Sequence, residues 1–120
     1  MLGYRADVIK KLFVYGTLGP GGPNEHILGN IGGSWEVASV RGILHQKGWG
    51  AAMGYPGVTL DKAGEKVNGF LFSSDNITEH WSELDEFEGE AYERELTNVA
   101  LQNKTFVQAY IYTLKQGDNS

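Results

Sequence analysis

Glycine recurs between short apolar runs along this chain, and that punctuation constrains the fold more than any other feature. The 120 residues include 17 glycines, about twice the ordinary share. Their positions read as turns and close backbone approaches between short elements, not as a disordered linker. The first apolar run, Lys11-Leu12-Phe13-Val14-Tyr15, is β-branched and aromatic and stops at Gly16. It predicts a buried, central strand over 11–15 that feeds a glycine-bearing turn facing a cavity. Gly19-Pro20-Gly21-Gly22-Pro23 is loop, and Asn24 is placed to cap a short helix through about Leu28. Strand signals return over 35–44, around 58–60 and over 66–72, with an irregular connection at 47–50.

The clearest helix follows. Asn76 stands three residues before Glu79, the pattern of an N-cap with a capping-box partner. The helix is expected from Ile77 to about Glu88, where Gly89 is a natural stop. Residues 92–101 and 105–114 alternate as strands, with Asn103-Lys104 a tight turn between them. The sum is five or six strands and two helices, with the last two strands joined by a short hairpin. This predicts an α+β fold with a mixed or closed sheet and argues against a doubly wound one.

Length favours one domain, read as a flexible N-terminal extension over 1–10 and a single domain over 11–115. Hydrophobic residues make up 41%, enough for a packed core. Cysteine is absent, which excludes disulfides, thiolate metal sites and a thiol nucleophile. His26, His45 and His80 are widely spaced and predict surface residues, not a zinc site. A net charge of −5 argues against nucleic acid as a partner, since that surface needs a positive field. The first ten residues lack the apolar run of a signal peptide, and no window reaches the length of a membrane span. The expected compartment is the cytoplasm, with no membrane partner.

Five carboxylates fall on the expected helix: Glu79, Glu83, Asp85, Glu86 and Glu88. At about 100° per residue, Ile77, Trp81 and Leu84 define an apolar stripe, and Glu88 continues it. Glu79, Glu83 and Glu86 point toward water, and Asp85 lies on the flank. One carboxylate of five therefore turns where the apolar side chains turn. Burial disfavours the charged form of such a group and raises its pKa, the condition for acid–base chemistry near neutral pH. The competing expectation is a Glu88 that frays outward as a solvated charge.

Val14-Tyr15-Gly16-Thr17-Leu18 resembles the V-Y-G-[ST]-L signature of the γ-glutamylcyclotransferase-like family. Leu84-Asp85-Glu86-Phe87-Glu88-Gly89, followed by Tyr92-Glu93-Arg94, resembles its second signature, and Tyr55-Pro56-Gly57 a weaker third. The motifs stand in the family's order from Leu12 to Tyr112. The segment from Gly19 to Pro23 departs from the more basic stretch that follows the first motif in the family. The resemblance implies a small mixed-sheet β-barrel flanked by short helices, with a cavity at one end. It implies that Tyr15, Gly16, Thr17 and Leu18 hold a γ-glutamyl group, that Glu88 is the catalytic acid/base, and that no metal or organic cofactor takes part. The enzymes of the family release 5-oxoproline and a free amine from γ-glutamyl peptides or γ-glutamyl amines. The alternative is a non-catalytic protein of the same fold that binds a small molecule. Arg94 is expected to pair with a structural carboxylate, and Trp35, Trp49 and Trp81 to pack. Tyr55 and Tyr110 are candidates for either the core or the wall of the pocket. The oligomeric state is left open.

Overall fold

The computed structural model describes residues 9–15, 19–22, 24–45 and 57–114. Six strands, β1 Lys11–Val14, β2 Ser34–His45, β3 Gly57–Leu60, β4 Glu65–Ser73, β5 Tyr92–Leu101 and β6 Phe106–Leu114, are joined by two helices, α1 Glu25–Ile31 and α2 Trp81–Glu88. The strands bond in the order β3-β2-β4-β1-β6-β5, and β5 returns to pair with β2. The ring β2-β4-β1-β6-β5 is thus a closed five-stranded barrel. The 12-residue β2 makes closure possible. One edge runs along β4; the other takes β5 at Ala38 and Ser39 and β3 from Gly42 to His45. The β1–β6 pair is parallel and the others are antiparallel. This is the mixed, closed α+β sheet that the strand pattern predicts, and the small barrel with short flanking helices that the family resemblance implies.

β1 is central, between β4 and β6. Its alternation sends Phe13 into the barrel with Val40, Val58, Leu71 and Ile111, while Leu12 and Val14 face outward beneath Leu28, Ile31, Ile77 and Leu84. Leu12, Leu28, Ile77 and Leu84 are at most 1% exposed, and each such burial stabilises by roughly 1.5–3 kcal/mol. Gly69 on β4 lets the sheet close tightly: a Cβ there would run into the Val14 carbonyl oxygen and the Phe13 ring.

The helix termini differ from the sequence expectation. Neither Asn24 nor Asn76 caps through its side chain. The Asn76 amide instead donates to the Ile31 carbonyl at 3.1 Å, tying the two helical segments together, and the Ser74 hydroxyl accepts the Asn76 N–H. The entry turn Ile77–His80 is 3-10, so the α-helix proper starts at Trp81. α1 outruns its expected end at Leu28 because Ile31 also packs into the outer core. The β5–β6 turn bears Lys104 at a φ of 70° and is tied by Asn103, whose side-chain oxygen accepts the Thr105 N–H. The expected irregular stretch at 47–50 and the terminal segments lie outside the described residues. No helix among the described residues is long and apolar enough to cross a membrane.

Candidate active site

Tyr15 directly follows β1. Its phenol points into the barrel beside Phe13, ring centroids 6.4 Å apart. The hydroxyl donates to the Tyr112 carbonyl at 2.7 Å and accepts the Val58 N–H at 3.1 Å. One side chain therefore pins the end of β1 to β6 and β3. Burial pushes the phenol's pKa up, the Val58 bond partly offsets this, and the nearby charges of Tyr92 and Glu88 add to the rise. The Tyr15 hydroxyl is thus engaged structurally. Gly16, Thr17 and Leu18 lie outside the described residues, as do Trp49, Tyr55 and Pro56.

Glu88 ends α2. It shares a face with Trp81 and Leu84, as their spacing requires, and is half-buried. Gly89 follows with a φ of 87°, returning its N–H to the Asp85 carbonyl at 3.0 Å. That left-handed conformation suits glycine and stops the helix. Burial lifts the Glu88 carboxyl from an ordinary 4.5 to about 7. No described residue bonds it, and burial is the cause of the rise. Its charge raises the pKa of the Tyr15 and Tyr112 phenols, behind the larger effect of their burial. Glu88 and Tyr15, far apart in sequence, thus share one neighbourhood with Tyr92 and Tyr112.

Arg94 on β5 has the carboxylate partner expected for it. Its Nε donates to Asp85 Oδ1 at 2.8 Å and its Nη2 to Oδ2 at 3.1 Å. The guanidinium lies 4.5 Å from the Trp81 ring and 4.8 Å from the Tyr110 ring, a stacked arrangement that arginine favours. The Tyr112 hydroxyl donates to the same Asp85 Oδ1 at 2.6 Å. The Arg94 bond chiefly holds the Asp85 carboxyl below its usual range, against the opposing effect of burial and with a smaller contribution from the Tyr112 bond.

The sequence matches the family described as gamma-glutamyl cyclotransferase, AIG2-like, over residues 12–120. The chain belongs to that family. No curated protein matches it by sequence. Similar solved structures include YkqA from Bacillus subtilis, at 28% identity over 88% of this chain and 36% of that one, with a TM-score of 0.66. An AIG2-like protein from Mus musculus is 22% identical over 93% of this chain and 80% of that one, with a TM-score of 0.64. A gamma-glutamyl cyclotransferase is 18% identical over 88% and 66%, also at 0.64. The last two likenesses are of fold alone. The chain spans only about a third of YkqA's length.

Within this family member, a groove of about 250 Å³ lies between α1 and α2, lined by His26, Ile27, Asn30, His80, Glu83 and Leu84 among others. It is not the site the motifs mark, since neither Tyr15 nor Glu88 lines it. Its main polar feature is a local bond, His80 Nδ1 to Glu83 Oε1 at 2.8 Å. Among the described residues no three His, Asp or Glu side chains are grouped to hold a metal. Trp35 and Trp81 pack as expected, Trp35 against Phe70 and Phe72 and Trp81 against Tyr110. The residue that sequence reasoning missed is Tyr112. The alternation of β6 was the available signal, because it sets Tyr110 and Tyr112 on one face, opposite Ile111.

Proposed function

We propose that this chain cyclises γ-glutamyl peptides or γ-glutamyl amines, releasing 5-oxoproline and a free amine, with Glu88 as general acid/base. The observation that carries this is a half-buried carboxylate with no bonding partner among the described residues, its pKa raised to about 7, beside the end of β1. Such a group accepts and returns protons at neutral pH, which an ordinary surface glutamate does poorly.

The chemistry needs little more. The substrate's α-nitrogen attacks its own γ-carbonyl carbon, forming the C–N bond of a five-membered lactam. The bond from that carbon to the leaving nitrogen then breaks. The attacking ammonium loses two protons in becoming the lactam N–H, and the leaving amide nitrogen gains two in becoming an ammonium. Glu88 is the carrier between the two nitrogens, so no net proton is consumed. The nucleophile is tethered to the electrophile, so no covalent enzyme intermediate is required and positioning supplies much of the rate. The backbone from Tyr15 through Gly16 and Thr17 to Leu18 is the proposed cradle, its N–H groups offered to the substrate carboxylate or the developing oxyanion.

The test is 5-oxoproline release by the purified protein across a panel of γ-glutamyl dipeptides and γ-glutamyl amines. Release from at least one class is expected. If no substrate in the panel yields product, the chain is a non-catalytic small-molecule-binding member of the fold.

A further inference from the structure

The last turn of α2 carries Glu88, but another residue holds that turn in place. α2 has eight residues, too few to be stable without tertiary contacts. Trp81 and Leu84 bury its first turn. In the last turn Glu86 and Phe87 are exposed, and Glu88 bonds no described residue. The side-chain hydrogen bonds and ion pairs of that turn, among the described residues, all belong to Asp85. It takes the fork of Arg94 at 2.8 and 3.1 Å and the Tyr112 hydroxyl at 2.6 Å.

Both partners are themselves fixed. Arg94 is stacked on Trp81 and Tyr110. Tyr112 is 5% exposed, and its own carbonyl accepts the Tyr15 hydroxyl. Tyr112 is therefore gripped at both ends, by α2 through its hydroxyl and by the end of β1 through its carbonyl. This line of bonds joins the helical turn that bears Glu88 to the strand end where the substrate cradle begins.

We propose that Asp85 is a positioning residue: by gripping Tyr112 and Arg94 it fixes the last turn of α2 so that the Glu88 carboxylate stays turned into the site beside Tyr15. The proposal rests on the acid–base role assigned to Glu88 above. Asp85 also balances the charge of Arg94, so the cation does not act alone in that neighbourhood. Among the described residues, the titratable groups that feel the Glu88 charge are Tyr15, after β1, and Tyr112, on β6. Tyr92 and Arg94 on β5 and Asp85 on α2 complete the cluster.

Three variants test this: Asp85→Ala removes both grips, Tyr112→Phe removes one hydroxyl and keeps the ring and carbonyl, and Asp85→Asn keeps an acceptor without the charge. Two readouts are needed on protein shown to be folded. One is the Glu88 titration midpoint by carboxylate-detected NMR, which needs no substrate. The other is kcat and KM for the best γ-glutamyl substrate. In Asp85→Ala the midpoint should fall from about 7 toward the ordinary range as the turn opens to water. Its kcat should drop roughly 10- to 100-fold, the scale of a catalytic group displaced by about an ångström, with KM changing less. Tyr112→Phe should move both readouts the same way by less. It alters no charge at neutral pH, so its effect reports position, not field. Asp85→Asn should recover part of the Asp85→Ala loss. A merely structural role would lower thermal stability and leave the midpoint of the folded protein where it was. A parental midpoint and parental kcat in folded Asp85→Ala would overturn the proposal alone. A shifted midpoint in a protein whose parent releases no 5-oxoproline would uphold the positioning and overturn the acid–base function instead.

Discussion

Asp85 and Glu88 stand one helical turn apart, and their two neighbourhoods treat the same functional group in opposite ways. Around Asp85, the Arg94 fork and the Tyr112 hydroxyl bond a carboxylate that is 44% exposed. Those bonds favour the anion and hold its pKa below the usual range. Around Glu88 there is burial and no bonding partner among the described residues, and the pKa climbs to about 7. Asp85 is thereby fixed as an anion at neutral pH and suited to holding. Glu88 changes protonation near neutrality and is suited to carrying. A cation facing Glu88 would erase the difference, and Arg94, the cation on β5, is engaged by Asp85.

The largest expected effect breaks the Glu88 side of this comparison. Glu88→Gln keeps the shape and cannot carry the proton, so 5-oxoproline release should fall roughly 100-fold or more, the scale of losing a positioned acid–base group. Glu86→Gln, on the exposed face, should keep parental turnover. Equal losses in both variants would remove the assignment of Glu88. The next effect is on pH. Glu88 must be deprotonated to accept a proton, so kcat/KM should fall roughly tenfold per unit below a pH near 7. A profile flat down to the ordinary carboxylate range would contradict this.

The smallest effect is on stability, and its sign separates the two residues. The folded pKa of Glu88 is raised, so between about 4.5 and about 7 the folded state binds more protons than the unfolded one. Stability therefore declines across that window, and the full cost is present above it. Glu88→Gln should raise the melting temperature at about pH 8 by the equivalent of roughly 1–2 kcal/mol, discounting for the part of the carboxylate in water. The gain should vanish by about pH 4. Asp85 is depressed, so its contribution is present above its unfolded pKa and lost as pH falls through the folded one. Asp85→Asn should accordingly lower the melting temperature at neutral pH and do less in acid. The same sign for both variants in scanning calorimetry would collapse the distinction.

Much of this was legible in the sequence because it depends on local period. The Trp81-Leu84-Glu88 spacing turns Glu88 inward, and it survives the 3-10 winding of Ile77–His80 because all three residues lie in the α-helical segment. The alternation of β5 and β6 and the glycine punctuation convey a sheet of short strands, and the β1 run conveys its centre. The bonds of Asn76, Tyr15 and Tyr112 were not legible. Each joins residues at least 27 positions apart, so it depends on how strands and helices are registered, not on any local pattern. That Arg94 would seek a carboxylate could be read from its strand face; that the carboxylate is Asp85 could not.

Burial, with no bonding partner among the described residues, is what would make Glu88 a proton carrier at neutral pH. The direct measurement is an NMR titration of the carboxylate carbons in the folded, unliganded protein, resolving Glu88, Asp85 and Glu86. Glu88 should titrate near 7 and Asp85 below the usual aspartate range. A Glu88 midpoint in the ordinary glutamate range, indistinguishable from that of Glu86, would contradict the claim.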